Sequence, residues 1–526
     1  MAKFGNYLYA TLLVFAAASI TYAYVEFRFS SIYGDHMVLQ QAPKQAIVWG
    51  YGEIGQRVVL RLSNKSYHAH VSSRQEGREE VGVWQVALQP MRAGGPYRIS
   101  AYSYVEGSLK IITLDDVLFG DVWICSGQSN MQYTLDISDD GDRAINESIN
   151  YPNIRVFTSG LDCSMTPRKE LRSIVLPWSI PSPETLNGTA DGILWSYFSA
   201  VCWYYGVHLY KTLNYPIGLI ASSFSGSPVE SWSSPDALLE CGWNGHVLIS
   251  PPILLLGPQG YPDIGSFTLY SCMWNAMIVP FLNMTIYGSI FYQGETNALA
   301  REFNVLPYNC TFPAMINDWR AKWYASTQHN TDPEFPFGFV QLSAVGQSIG
   351  SNQFNFAPLR WDQTAEKGYA PNAQLQKTFM AVAMDLGNPL SPHFSIHPTD
   401  KENIGYRLGL SGLSLAYGRE RYYTGPLVSE IKKIATEHDT LLVVNYESVN
   451  INIEVRNSTG FEVNCHGNWT ASPIVYNSST SVFILSRCNP DKVRYAWSDY
   501  PCERLKCAVY SGGLPSPPFI MDGPFS

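Results

Sequence analysis

Positive charge is what this sequence has least of. Its 35 Lys and Arg are outnumbered by 44 Asp and Glu, for a formal net charge of −9, and charged residues fill only 15% of the 526 positions. Such a chain has no basic footprint, which sets nucleic acid aside as a partner and argues against docking on an anionic membrane surface. A disorder-promoting bias is missing too, since a hydrophobic content of 46% is enough to bury large cores. The ten cysteines contain no CxxC spacing, so a cysteine-built metal site is not expected. Long apolar runs are few. One of them, Met277 to Tyr292, is interrupted by Pro280 and Asn283, and reads as a helix end plus a buried strand rather than a membrane span.

What is present begins with a targeting pattern. Lys3, the apolar stretch Leu8 to Ala18 and the small-residue site Thr21-Tyr22-Ala23 predict a signal peptide over 1–23, cleaved after Ala23 and leaving no membrane anchor. Eight Asn-X-Ser/Thr sequons follow, at Asn64, Asn146, Asn187, Asn283, Asn309, Asn457, Asn468 and Asn477. With ten cysteines they predict a glycoprotein of the oxidising secretory pathway, lysosomal or secreted. Cys502 with Cys507 and Cys465 with Cys488 are candidates for local disulfides, whereas Cys125, inside an apolar run, reads as a free core thiol.

A chain of this length exceeds one core. Residues 24–112 read as an N-terminal β domain: Gln45 to Gly50, Arg57 to Leu62 and Val83 to Leu88 are short alternating or apolar runs between turns. His68-Ala69-His70 places two imidazoles on one face of a strand, but no third ligand is visible and no metal is expected. Residues 113–420 alternate strands with helices, the pattern of a parallel α/β sheet with crossover helices. Phe198, Val201, Cys202, Tyr205 and Leu209 repeat with helical period. Residues 421–526 turn β again, with Leu441 to Tyr446 and Ser481 to Leu485 strand-like, as a C-terminal β domain.

Within the α/β region, apolar strands run into small polar loops. Asp121 to Cys125 leads to Ser126-Gly127-Gln128-Ser129-Asn130-Met131. Pro216 to Ala221 leads to Ser225-Gly226-Ser227, Thr285 to Tyr292 to Gln293-Gly294-Glu295-Thr296-Asn297, and Phe379 to Met384 to a loop with His393 and His397. Open α/β sheets bind their ligands beyond the carboxyl ends of strands. Acyl transfer by a serine needs a nucleophile, a base and donors aimed at the developing oxyanion. Ser129 supplies the first, His397 or His393 the second; the backbone N–H groups of Ser129 and Gly226 and the side-chain amide of Gln293 are candidates for the third. Read blandly, Ser129 is a helix cap, and Gln293 and Glu295 are caps on strand-end backbone groups.

Gly127-Gln128-Ser129-Asn130-Met131, Gln293-Gly294-Glu295-Thr296-Asn297 and Ile396-His397-Pro398 resemble the blocks of SGNH-type hydrolases, and more closely the sialate O-acetylesterase family. The likeness extends over nearly the whole mature chain. Asp35-His36-Met37-Val38-Leu39-Gln40, Val48-Trp49-Gly50, Pro228-Val229-Glu230-Ser231-Trp232, Trp319-Arg320, Val493-Arg494-Tyr495-Ala496-Trp497 and Gly513-Leu514-Pro515 also match it. The resemblance implies a flavodoxin-like parallel sheet with helices on both faces, flanked by β-sandwich-like domains. It implies hydrolysis of O-acetyl esters on sialic acids or sialoglycoconjugates, 9-O-acetyl included, with release of acetate and no cofactor. Ser129 would carry the acetyl group, and His397 would act as base and then acid. The oxyanion donors would be Ser129, Gly226 and Gln293.

Two departures from the family pattern stand out. Relatives often read Gly-Gly-Thr where this chain has Ser225-Gly226-Ser227, and the usual Asp three residues before the histidine is replaced by Phe394. The histidine must therefore be oriented by another group, because its tautomer is set by what the second nitrogen bonds. A backbone carbonyl near Ser395, giving a Ser–His dyad, is favoured over Asp385 and Asp400. His393 lacks the matching Ile-His-Pro context. Two other readings stay open, an acetylesterase for xylan or another polysaccharide and a non-catalytic carbohydrate-binding glycoprotein. A sialate carboxylate calls for a basic side chain in the cleft, with Arg301, Arg320, Arg360 and Arg407 as candidates by position.

Overall fold

The computed structural model describes residues 26–525 apart from 77–78, 189–194, 196, 246–268, 302–305, 420–421 and 436–438. The expected signal peptide lies outside the described residues. The core of the fold is an eleven-stranded sheet. Its central strand, β1 (Ser108–Gly127), is 20 residues long and serves two regions. Its first half pairs antiparallel with Gly94–Val105 in the N-terminal β region. Its second half, Asp121 to Gly127, is fully buried and lies between two parallel neighbours. The position expected as a boundary, 112/113, falls inside one continuous strand. Val38–Gln40, Arg57–Leu62, Lys65–His70 and Gly94–Val105 extend the central sheet, whereas Arg28–Phe29, Ile47–Tyr51, Ser72–Glu76 and Glu79–Ala87 form a separate four-stranded sheet.

Around β1 the sheet is built from β2 (Ile154–Ser159), β3 (Ile174–Ser179), β4 (Ile217–Ser223), β5 (Gly288–Tyr292), β6 (Phe337–Gln341) and β7 (Thr378–Val382). Their order across the sheet is β3-β2-β4-β1-β5-β6-β7, all parallel except the edge strand β3. Counting parallel strands along the chain, the order is second, third, first, fourth, fifth, sixth. Within it the five strands β4-β1-β5-β6-β7, counted among themselves, run second, first, third, fourth, fifth, the 2-1-3-4-5 order of a flavodoxin-like sheet, and β2 with antiparallel β3 extends that sheet beyond β4. The third parallel strand, β4, inserts beside β1, so the chain changes direction across β4, β1 and β5. A switch point of this kind opens a crevice at the carboxyl ends of the strands, here after Ser223, Gly127 and Tyr292.

Helices cover both faces. On one face lie α2 (Ala200–Leu213) and α5 (Lys401–Leu415), where Tyr205 packs edge-on against Trp123 of β1 with ring centroids 5.1 Å apart. On the other, Phe312 and Trp319 of α4 (Tyr308–Ser326) close over Phe291 and Phe337. These rings are fully buried, and each buried phenylalanine contributes roughly 1.5–3 kcal/mol. The helix read from Phe198 to Leu209 is α2; it stops at Asn214, which takes a left-handed C-cap at φ 53°.

Cys125 is not a free thiol. It faces α2 and pairs with Cys202 in that helix's first turn, with Cα atoms 5.8 Å apart. The apolar run hid this, because a core strand residue meets whichever helix crosses it, 77 residues away here. Cys465–Cys488 and Cys502–Cys507 pair locally, and Cys163–Cys272 and Cys241–Cys310 complete five disulfides with no cysteine left free. The C-terminal region holds two four-stranded antiparallel sheets. No helix among the described residues is long and apolar enough to cross a membrane.

Candidate active site

β1 ends at Gly127 because the chain must turn there against its neighbour. Its φ is 134°, and a Cβ would stand 2.1 Å from the carbonyl oxygen of Tyr292. The next residues form a single helical turn, α1 (Ser129–Gln132), with Ser129 at its first position and 4% exposed. Ser129 Oγ lies 2.9 Å from His397 Nε2, although the two residues are 268 positions apart.

The tautomer of His397 follows from its second nitrogen. Nδ1 stands 2.6 Å from the carbonyl oxygen of His393. A carbonyl only accepts, so Nδ1 carries the hydrogen and Nε2 is left with a lone pair for the Ser129 hydroxyl. Burial, together with the cationic Lys401 nearby, pushes the imidazole down to about 3, while the His393 carbonyl opposes that shift. The resting ring is neutral. Trp195 packs edge-on against it, with centroids 4.6 Å apart, and with Tyr133 and His393 walls that side of the pair.

The orienting group is thus a main-chain carbonyl, contributed by His393, two residues before Ser395. Ser395 instead accepts a hydrogen bond on Oγ from Gly346 N–H. Neither aspartate takes part. Asp385 is fully buried, held by Arg407 through both oxygens at 2.6 and 2.9 Å, and accepts from Tyr510. Asp400 caps α5 by accepting from Asn403 N–H and pairs with Arg504.

Phe394, where a carboxylate was expected, has a structural consequence of its own. Its φ is +67°, and the turn it makes sends the His393 carbonyl to Nδ1 of His397 and its own carbonyl to the His397 N–H at 2.9 Å. The side chain is half-exposed. A left-handed L-residue costs roughly 1–2 kcal/mol, so Phe394→Gly is expected to keep ester hydrolysis within about threefold while Phe394→Val loses tenfold or more. Initial rates and melting curves of both variants check this; a tenfold loss in the glycine variant would mean that the ring itself meets substrate.

Gly226 also has positive φ, 72°, in the turn after β4. Its N–H and that of Ser129 make no hydrogen bond to the described residues, so both are available as donors. Gln293 is buried beneath them and already engaged. Its amide nitrogen stands 2.7 Å from Asn297 Oδ1 and 3.2 Å from both Gln128 Oε1 and the Ser227 carbonyl, while its oxygen accepts from Tyr308. To reach an oxyanion, it must release one of the two longer contacts.

Residues to which the sequence assigns no catalytic role are packed against the Ser129 turn. Asn130 is fully buried and donates through Nδ2 to Glu295 and to the Ile396 carbonyl, and Lys401 Nζ donates to its Oδ1. Burial raises Glu295 to about 7, as it does Glu230, which accepts from Asn297. One signal was available. A lysine in the first turn of α5 sits at the positive end of the helix, where cations are disfavoured. The four arginines are otherwise occupied: Arg407 holds Asp385, Arg301 pairs with Asp362, and Arg320 and Arg360 donate to main-chain carbonyls. His68 accepts at Nδ1 from Arg57 across its hairpin.

A serine held against a neutral histidine at a sheet switch point is the form of a carboxylic ester hydrolase, and similarity to known proteins agrees. The model of the sialate O-acetylesterase C-terminal domain matches residues 432–523. Proteins named sialate O-acetylesterase from Homo sapiens and Pongo abelii are each 39% identical over 508 residues, 94% of this chain and 92% of theirs. The Mus musculus protein of that name is 37% identical across 97% of this chain and 96% of its own. The crystal structure of a carbohydrate acetylesterase from Xanthomonas citri superposes with a TM-score of 0.73 at 25% identity, covering 94% of this chain and 99% of that one. The chain belongs to the sialate O-acetylesterase family and is a carboxylic ester hydrolase.

Proposed function

We propose that this chain removes O-acetyl groups from sialic acids, the 9-O-acetyl ester among them, through an acetyl-enzyme on Ser129. The observation that carries the mechanism is the Ser129–His397–His393 carbonyl chain; the substrate class rests on the relatives. Nε2 of His397 takes the Ser129 proton as Oγ bonds to the acetyl carbon. The oxyanion is met by the N–H groups of Ser129 and Gly226, with Gln293 as third donor once a loop contact yields. Collapse breaks the ester C–O bond, and the imidazolium gives its proton to the departing sugar oxygen. Water, deprotonated by His397, then attacks the acetyl carbon, and acetate leaves with Ser129 reprotonated.

On this reading the catalytic unit is an SGNH-type domain, with the N- and C-terminal β regions walling its cleft. The chain travels the secretory pathway as a glycoprotein. In support, the eight sequon asparagines are exposed or half-buried, and five disulfides bind the fold. The other substrate reading, a polysaccharide acetylesterase, draws on the Xanthomonas citri neighbour.

Acetate release from 9-O-acetylated sialic acid, measured beside acetylated xylan, tests the assignment. Release from the sialate at least about tenfold faster than from xylan is expected, since a second kcal/mol-scale contact to the sugar is worth that factor. Release only from xylan would keep the mechanism and sink the sialate assignment.

A further inference from the structure

Lys401 is a buried cation against Asn130, the residue after the candidate nucleophile. It is completely buried, and among the described residues its Nζ forms no ion pair, the carboxylates of Glu295, Asp400 and Asp139 acting on it only through space. Instead it donates to Asn130 Oδ1 at 2.5 Å and lies 4.5 Å from the ring centroid of Tyr133 and 5.6 Å from that of Tyr292. Those rings offer an ammonium some attraction. Its position at the start of α5 works against it, because the helix presents its positive end there. A lysine kept in such a place at evident cost invites a reason beyond packing, since buried charges are normally paired.

The reason lies in what Asn130 does with its other end. While Lys401 holds the amide oxygen, the amide nitrogen bonds Glu295 and, at 2.9 Å, the carbonyl of Ile396. Asn130 follows Ser129, Ile396 precedes His397, and Glu295 opens α3 (Glu295–Leu299) just after Gln293. One amide thus joins the three loops that deliver nucleophile, base and the expected oxyanion donor. An asparagine alone could flip; with the Lys401 ammonium, which only donates, on one side and the Ile396 carbonyl, which only accepts, on the other, only one orientation satisfies both.

We propose that Lys401 is a positioning residue: its ammonium locks the Asn130 amide so that the Ser129 turn and the His397 loop are held at hydrogen-bonding distance. The inference rests on the ester-hydrolase reading of this site and deepens it. The lysine also acts through space. The groups facing it are Glu295, its own cap Asp400, Asp139 and the rings of Tyr133 and Tyr292; those facing His397 are His393 and Lys401. Its charge therefore helps to keep His397 unprotonated in the resting protein, and burial has brought the lysine itself down to about 7.

The test is Lys401→Met in the full-length glycoprotein, assayed with 4-nitrophenyl acetate, whose cleavage needs no sugar recognition. The expected result is a folded protein with kcat lowered about 100-fold and KM within about threefold, as for misplaced reacting groups. The acid limb of its kcat/KM profile should move to higher pH, because a cation that disfavours imidazolium has gone. A kcat within about threefold of the parent, or a fall in kcat with the limb unmoved, overturns the inference. If Lys401→Met does not fold, Asn130→Ser decides: it removes both arms of the clamp, and an unchanged kcat overturns the proposal. A parent protein inert towards every acetyl ester would overturn the ester-hydrolase reading and this inference together. An active parent with an equally active Lys401→Met would overturn this inference alone.

Discussion

Ser129→Ala is expected to lower acetate release by roughly 10⁴-fold or more, His397→Ala by nearly as much, and the double variant by no more than either. On the proposed mechanism the two groups act as one unit. Ser129 Oγ is a weak nucleophile unless His397 Nε2, 2.9 Å away, takes its proton as the new bond forms. Once either partner is gone, the other has nothing left to contribute. What remains comes from the oxyanion donors and from binding, about 10³–10⁴-fold over water in hydrolases of this kind. Steady-state rates of the three variants, with melting curves to show that each is folded, check this. Multiplying losses, or a deficit under tenfold in His397→Ala, would mean that another base serves Ser129.

The same pair sets the pH profile. The folded pKa of His397 is depressed below the usual imidazole value by burial. A depressed pKa keeps the ring in its base form as pH falls. The acid limb of kcat/KM should therefore lie well below pH 6.5, the ordinary value for histidine. Stability runs the other way. The unfolded chain protonates this histidine from about pH 6.5 downwards and the folded chain does not, so the contribution of the buried neutral ring is present above that pH and lost progressively below it.

Arg407→Met is expected to cost about 3–5 kcal/mol, because it strands a buried carboxylate. Asp385 is fully buried and Arg407 nearly so; the guanidinium grips both carboxylate oxygens and also donates to the Val382 carbonyl at the end of β7. Asp385→Asn removes the charge from the other side and should be similarly damaging, with the apparent melting temperature lowered by about 5 °C or more in each case. Catalysis should separate from stability. Activity per folded Asp385→Asn molecule should stay within about threefold of the parent, because the aspartate does not touch His397 and the imidazole is oriented by a carbonyl. A folded Asp385→Asn protein that had lost activity by orders of magnitude would restore the carboxylate to the catalytic group.

Much of this site could be read along the chain. A buried strand announces itself as a short apolar run and its end as a glycine or polar break, so Ser129, Gly226, Gln293 and His397 were each placed at a strand end from local pattern. The helix that forms over Ala200–Leu213 is legible from Phe198 to Leu209 for the same reason, because periodicity involves residues a few positions apart. β2 and β6 lack the strand signal, because Arg155, Thr158 and Ser159 break the apolar run of the first and Gly338 and Gln341 that of the second. Only the tertiary structure decided which groups meet. The His393 carbonyl could replace the absent aspartate because the Phe394 backbone turns left-handed. Cys125 found Cys202 because α2 crosses β1, and Lys401 came to rest on Asn130, 271 positions away. The four arginines looked alike in sequence, and the fold set Arg320, Arg360 and Arg407 to internal tasks. Local periodicity is set by the geometry of the backbone within a few residues; the partner of a buried polar group is set by whichever distant element must satisfy it, and that is known only when the sheet is assembled.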